Sequence, residues 1–120
     1  SKNKKMITKL FPQRGCIIAE FTDLKRFTLA VTEEVKTELK PILSENGVKF
    51  IFNLQNVEFI DSSGIGCIIS LVKTAKSCQS EIKLCNLSPA VMEIMNLLHL
   101  SMIFDIEKDV ESCIRSFEKN

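Results

Sequence analysis

Between Val48 and Leu54 nearly every residue is apolar. A strand that faces water on one side alternates polar and apolar residues. An apolar run of this kind predicts a strand covered on both faces. The stretch Val57-Glu58-Phe59-Ile60-Asp61-Ser62-Ser63-Gly64-Ile65-Gly66 follows it. Ile65, Ile68, Ile69, Val72 and Ala75 then recur at helical spacing and predict one buried stripe. The order is strand, short loop, helix, with Asp61-Ser62-Ser63-Gly64 at the loop-to-helix junction. Aspartate and serine cap helix N-termini because their oxygens accept unpaired first-turn amides, and Ser63 is one candidate for that role. Gly64 and Gly66 remove side-chain bulk, so another backbone or a partner can come close. A serine hydroxyl is thus expected at the positive end of a helix, where a phosphate is electrostatically tolerated. Ser62, Gly66, Ser70 and Lys73 fall on the side away from the apolar stripe. That side is expected to be shallow, and better suited to docking a partner than to enclosing a small molecule.

The remaining chain alternates strand and helix. Met6–Leu10 is a first strand candidate, residues 12–15 a turn, and Cys16–Phe21 a second strand, the two strands forming an antiparallel hairpin. Thr28 is the expected cap of a helix running to about Ser44, with Val31, Val35, Leu39 and Ile42 on its apolar face. Pro41 predicts a kink or an early end to that helix, and Asn46-Gly47 a stop. Residues 81–87 alternate and predict a strand. Ser88-Pro89 opens a helix, serine as cap and proline at the first helical position, with Val91, Ile94, Met95 and Leu98 facing inward. A short strand at 103–106 follows. Asp109 caps a last helix with Val110, Cys113, Ile114 and Phe117 inward. The expected architecture is α/β: a mixed sheet, mostly parallel with an N-terminal antiparallel hairpin, packed with about four helices.

The 120 residues suit one domain spanning 1–120, with residues 1–5, among them Lys2, Lys4 and Lys5, expected to fray. A formal net charge of +1 argues against a nucleic-acid binder, which needs a basic excess gathered on one face. No apolar run reaches the ~18 residues of a membrane span, and no charged-then-apolar leader opens the sequence. Cys16, Cys67, Cys78, Cys85 and Cys113 form no C-x-x-C pair, and His99 is the single histidine. The expectation is reduced, mostly buried thiols in a cytoplasmic protein, with no metal and no cofactor.

Catalysis finds little support. Ser62, Asp61 and His99 could be imagined as a hydrolase triad, but the serine lacks the G-x-S-x-G elbow. Gly64-Ile65-Gly66 does not extend to G-x-G-x-x-G, and no P-loop is present.

The run Phe59-Ile60-Asp61-Ser62-Ser63-Gly64-Ile65-Gly66 resembles the signature of bacterial anti-sigma factor antagonists, which are single STAS domains. Leu87-Ser88-Pro89-Ala90-Val91 and the ending Leu100-Ser101-Met102-Ile103-Phe104-Asp105-Ile106 resemble later parts of the same family, in its order and approximate spacing. The resemblance covers the chain from about Cys16 onward. It implies a STAS-like fold and a non-enzymatic, partner-switching regulator of transcription. Ser62 stands at the position phosphorylated in that family by an anti-sigma factor that is also a serine protein kinase. The unphosphorylated antagonist binds the kinase and frees the sigma factor, and a PP2C-type phosphatase resets the phosphorylated form. Asp61, Ser62, Ser63, Gly64, Gly66 and Ser70, with Lys25 and Phe27 from the preceding loop, are the partner-binding residues so implied. The 22–27 loop departs from the family. Thr22 or Asp23 stands where glycine is expected, and Lys25 or Phe27 where an acid is expected; Lys25, Arg26 and Phe27 are then either a rewritten contact or a solvated turn. The alternative is a STAS scaffold or adaptor without a phosphorylation cycle, in a stressosome-like or lipid-transport complex.

Overall fold

The structure, a computed structural model, describes residues 5–119. The first residues, where fraying is expected, lie mostly outside that range. Strands β1 (Thr8–Gln13) and β2 (Cys16–Phe21) pair antiparallel, Thr8 opposite Phe21 and Gln13 opposite Cys16. Arg14 and Gly15 make the two-residue turn, both at positive φ (50° and 82°), the backbone that matches the twist of a hairpin. The strand therefore runs through Pro12, where a turn was expected. Proline is tolerated there because β1 is the edge of its sheet.

Strands β4 (Lys49–Asn53), β6 (Glu81–Cys85) and β7 (Asp105–Glu107) add in parallel, giving one sheet in the order β1-β2-β4-β6-β7. β4 lies at the centre, buried from Phe50 to Asn53, as its apolar run requires. Two short strands do not join this sheet. β3 (Arg26–Phe27) and β5 (Phe59–Ile60) pair with each other in parallel.

Helices α1 (Thr32–Leu43), α2 (Ser62–Ser77) and α3 (Pro89–Leu97) contribute to one core with Ala19, Phe21, Phe50, Phe52, Ile82 and Leu84 of the sheet. α4 (Val110–Glu118) closes the opposite face, packing Cys113, Ile114 and Phe117 on Cys16, Ile18, Ile51 and Cys85. Each fully buried leucine or phenylalanine adds roughly 1.5–3 kcal/mol, so the two layers supply most of the folding drive.

Local chemistry sets several boundaries. Ser88 accepts from Val91 N at 3.2 Å with Pro89 at the first helical position, and Asp109 accepts from Ser112 N at 2.8 Å, both as expected. α1 begins at Thr32 rather than after Thr28, because Arg26 and Phe27 are drawn into β3 and Thr28 closes a turn with Val31 instead. Pro41 does not end α1. The helix runs on to Leu43, since Leu39 and Leu43 are both fully buried and hold the last turn in place. Leu98, expected on the inner face of α3, lies beyond it and is exposed. The last strand begins two residues later than expected, after a single 3-10 turn at Leu100–Met102.

On the α4 side, Lys83 is nearly inaccessible. Its ammonium meets Asp105 Oδ2 at 2.5 Å and Glu81 Oε2 at 3.5 Å, and lies over the Phe117 ring. All five cysteines are free thiols, four of them buried. Burial pushes the Cys67 thiol to about 11, and the contact with Cys85 together with burial raises Cys113, so neither is a nucleophile near neutral pH. Among the described residues no group of acids, cysteines and histidine has metal-holding geometry, and no helix is long and apolar enough to cross a membrane.

Candidate functional site

β5 ends at Ile60, and the next residue turns the chain into α2. Asp61 is extended (φ −104°, ψ −177°) and is the N-cap. Its Oδ1 accepts from Gly64 N at 2.9 Å, and its carbonyl accepts from Ile65 N at 3.0 Å. Its Oδ2 takes Leu29 N at 3.4 Å, and its own amide donates to Phe27 O at 3.4 Å. One residue therefore caps α2 and ties it to the loop after β3. The cap is Asp61 and not Ser63, which is half-buried in the first turn.

With Asp61 as cap, Ser62 is the first helical residue and is exposed. Among the described residues no hydrogen bond engages its hydroxyl. The hydroxyl thus stands at a hydrogen-bonded helix start, where an incoming group can reach it.

The two glycines serve different ends. A Cβ at Gly64 would lie 2.7 Å from Ile60 Cγ1 and closer still to Phe27 O, so nothing larger fits. A Cβ at Gly66 would meet nothing within 4 Å. Gly66 is exposed beside Ser62, with half-buried Ser70 and exposed Lys73 further along the same side.

The loop before α1 contributes unevenly. Lys25 is exposed, and its carbonyl accepts from Glu58 N at 2.8 Å and Phe59 N at 3.1 Å. Phe27 is 0% exposed, edge-on to Phe21 with ring centroids 5.2 Å apart. The expectation that Phe27 touches a partner is corrected: its side chain is core. Gly64 is likewise buried under Phe27 and shapes the site from beneath. Arg26, in the expected contact loop, lies over the Phe59 ring, 4.2 Å from its centroid. One neighbour escaped the sequence reading: Leu29, 71% exposed. Its place beside the site follows from the pairing of residues 26–27 with 59–60, which spans more than thirty residues and leaves no local pattern.

His99 sits in a turn after α3 at φ 55° and is exposed. Among the described residues no hydrogen bond joins the His99 side chain to Asp61 or Ser62. The three residues are not arranged as a hydrolase triad.

The model of the STAS domain matches residues 25–113 of this chain. The chain belongs to the STAS domain family. The match takes in Asp61, Ser62 and both glycines. The anti-sigma-B factor antagonist of Listeria monocytogenes is 31% identical to this STAS domain over 78 residues, covering 65% of this chain and 68% of the relative. This places it among the anti-sigma factor antagonists of the family. Solved structures share the fold. An anti-sigma-factor antagonist STAS domain protein from Planctomyces limnophilus superposes with a TM-score of 0.84 at 18% identity, over 92% of this chain and 97% of that one. The Bacillus cell fate determinant SpoIIAA in its phosphorylated form gives 0.66 at 17% identity, over 91% and 98%.

Proposed function

We propose that this STAS domain is a phosphorylation-switched antagonist of an anti-sigma factor, with no catalysis of its own. Unphosphorylated, it binds an anti-sigma factor that is also a serine kinase, and the sigma factor is freed. The kinase then transfers the γ-phosphoryl group of ATP to Ser62. The Ser62 Oγ–P bond forms, the bridging bond to ADP breaks, and the hydroxyl proton leaves to a base on the kinase. A PP2C-type phosphatase hydrolyses the phosphoserine and returns the chain to its binding form. The docking surface comprises Ser62, Gly66, Ser70 and Lys25, with Asp61, Ser63, Gly64 and Phe27 shaping it from within.

One observation carries this proposal: the Ser62 hydroxyl is exposed and unengaged at the start of α2, on a turn that Asp61 holds rigid. Phosphorylation adds about −1.5 to −2 charges and three acceptor oxygens at that point. The fold does not use the Ser62 side chain, so the charge changes the surface and leaves the core intact. The name of the Listeria relative and the phosphorylated form of SpoIIAA support the same reading.

The test is peptide mass spectrometry at Ser62 on protein from its source cells, in growth and under stress, paired with binding to the cognate anti-sigma factor. Phosphate occupancy that changes with condition is expected. Ser62→Ala should bind constitutively. Ser62→Asp should melt like the parent yet bind at least ~10-fold more weakly, about 1.4 kcal/mol. Equal affinity of the two variants, with no phosphate under either condition, would replace the switch with the scaffold reading.

A further inference from the structure

A phosphate on Ser62 would stand beside a fixed negative charge. The Asp61 carboxylate is held in place by two backbone amides, accepting from Gly64 N at 2.9 Å and Leu29 N at 3.4 Å. It also takes up a first-turn amide that an anion would otherwise use. Two anions this close repel, so the phosphorylated state calls for a cation. Lys36 is already paired with Glu33 at 2.8 Å. Lys73 lies three turns along α2, roughly 16 Å away. Lys83 is buried on the far side of the sheet with Asp105. Arg26 differs from all three. Its guanidinium rests on the Phe59 ring, and among the described residues no carboxylate pairs with it.

The register of the small sheet puts Arg26 opposite Phe59, three residues before Ser62. Paired strands lie ~4.8 Å apart and rise ~3.3 Å per residue, so the Arg26 and Ser62 Cα atoms are roughly 11 Å apart. An arginine and a phosphoserine side chain together span that gap. A guanidinium also fits a phosphate with two parallel hydrogen bonds, which an aromatic ring cannot offer.

We propose that Arg26 is the internal counter-ion of phosphorylated Ser62, and that phosphorylation draws its guanidinium off the Phe59 ring onto the phosphate. This rests on Ser62 being the phosphoacceptor. Its consequence is that the signal changes the docking surface in two places. Charge appears at Ser62, and the ring of Phe59 is uncovered beside Leu29.

The experiment installs phosphoserine at position 62 during translation, so no kinase is needed. The phosphate is titrated by phosphorus NMR in the parent, Arg26→Ala and Arg26→Lys chains. The Arg26 Nε–Hε signal is followed with and without the phosphate. The parent phosphate should bind its second proton at least ~3-fold more weakly than in Arg26→Ala, with Arg26→Lys between them. The Nε–Hε signal should move downfield as the group leaves the shielding of the ring. An identical titration in parent and Arg26→Ala, with an unmoved Nε–Hε signal, would overturn the proposal. Should Arg26→Ala fail to fold, the Nε–Hε signal of the parent decides alone. Finding no phosphate on Ser62 in cells would sink the switch without altering this result, so the two failures are distinguishable.

Discussion

The two sides of α2 use the same small residues for opposite reasons. Gly64 lies on the inner side, pressed against Phe27 and Ile60, where any side chain would collide with backbone. Gly66, two positions on, faces open space and has no neighbour to avoid. A glycine inside a helix costs about 1 kcal/mol relative to alanine. At Gly64 that cost is offset by close packing. At Gly66 nothing among the described residues offsets it. The fold explains the inner side of α2, and the proposed docking of a partner would explain the outer side.

Substitutions can break this contrast. The largest effect is expected at Gly64. Gly64→Val should cost about 3 kcal/mol in urea denaturation, because the Phe27 carbonyl is backbone and cannot step aside. A loss well below ~1 kcal/mol would mean that the 26–29 loop moves freely over α2. Asp61→Ala should cost ~1–2 kcal/mol through loss of the cap, and should also release Leu29, raising amide exchange in residues 26–29. Asp61→Asn keeps an acceptor and should lose less. Gly66→Ala should go the other way, stabilising the chain by ~0.5–1 kcal/mol while weakening binding to the cognate anti-sigma factor. A stabilised Gly66→Ala variant with undiminished affinity would show that the outer side is not the docking surface.

The smallest effect lies away from α2 and serves as a control. Burial opposes the charge on Lys83, but Asp105 and Glu81 outweigh it and raise its pKa above the ordinary 10.5. A group raised on folding binds protons more tightly in the native state. Its contribution is therefore fully present below pH 10.5 and is lost as pH rises through the native value. Stability should fall on the alkaline side in the parent and fall less steeply in Lys83→Met, while binding through α2 stays the same in both.

Much of this was legible in the chain. The capping residues Ser88 and Asp109 announced their helices, because a cap is a contact between residues three apart. The apolar run at 48–54 announced a strand covered on both sides, because burial demands it at each position. The motif at 59–66 carried the family. What went unseen is what depends on distant partners. The start of α1 moved because residues 26–27 pair with 59–60. Pro41 was tolerated because Leu39 and Leu43 are held by the core. Phe27, named for a partner surface, was claimed by Phe21 and Phe52.

By itself the sequence determined the alternation of strands and helices, the position of Ser62 at a helix start, and the family. These follow from short-range rules: periodicity, capping and motif spacing. Only the tertiary structure decided which residues of the candidate site are open to solvent and which face the core. It assigned the cap to Asp61, buried Phe27 and Gly64, left Gly66 open and set Arg26 against Phe59. The physical reason is that each of these is a contact across the fold, and such contacts exist only once two separate stretches of chain have been brought side by side.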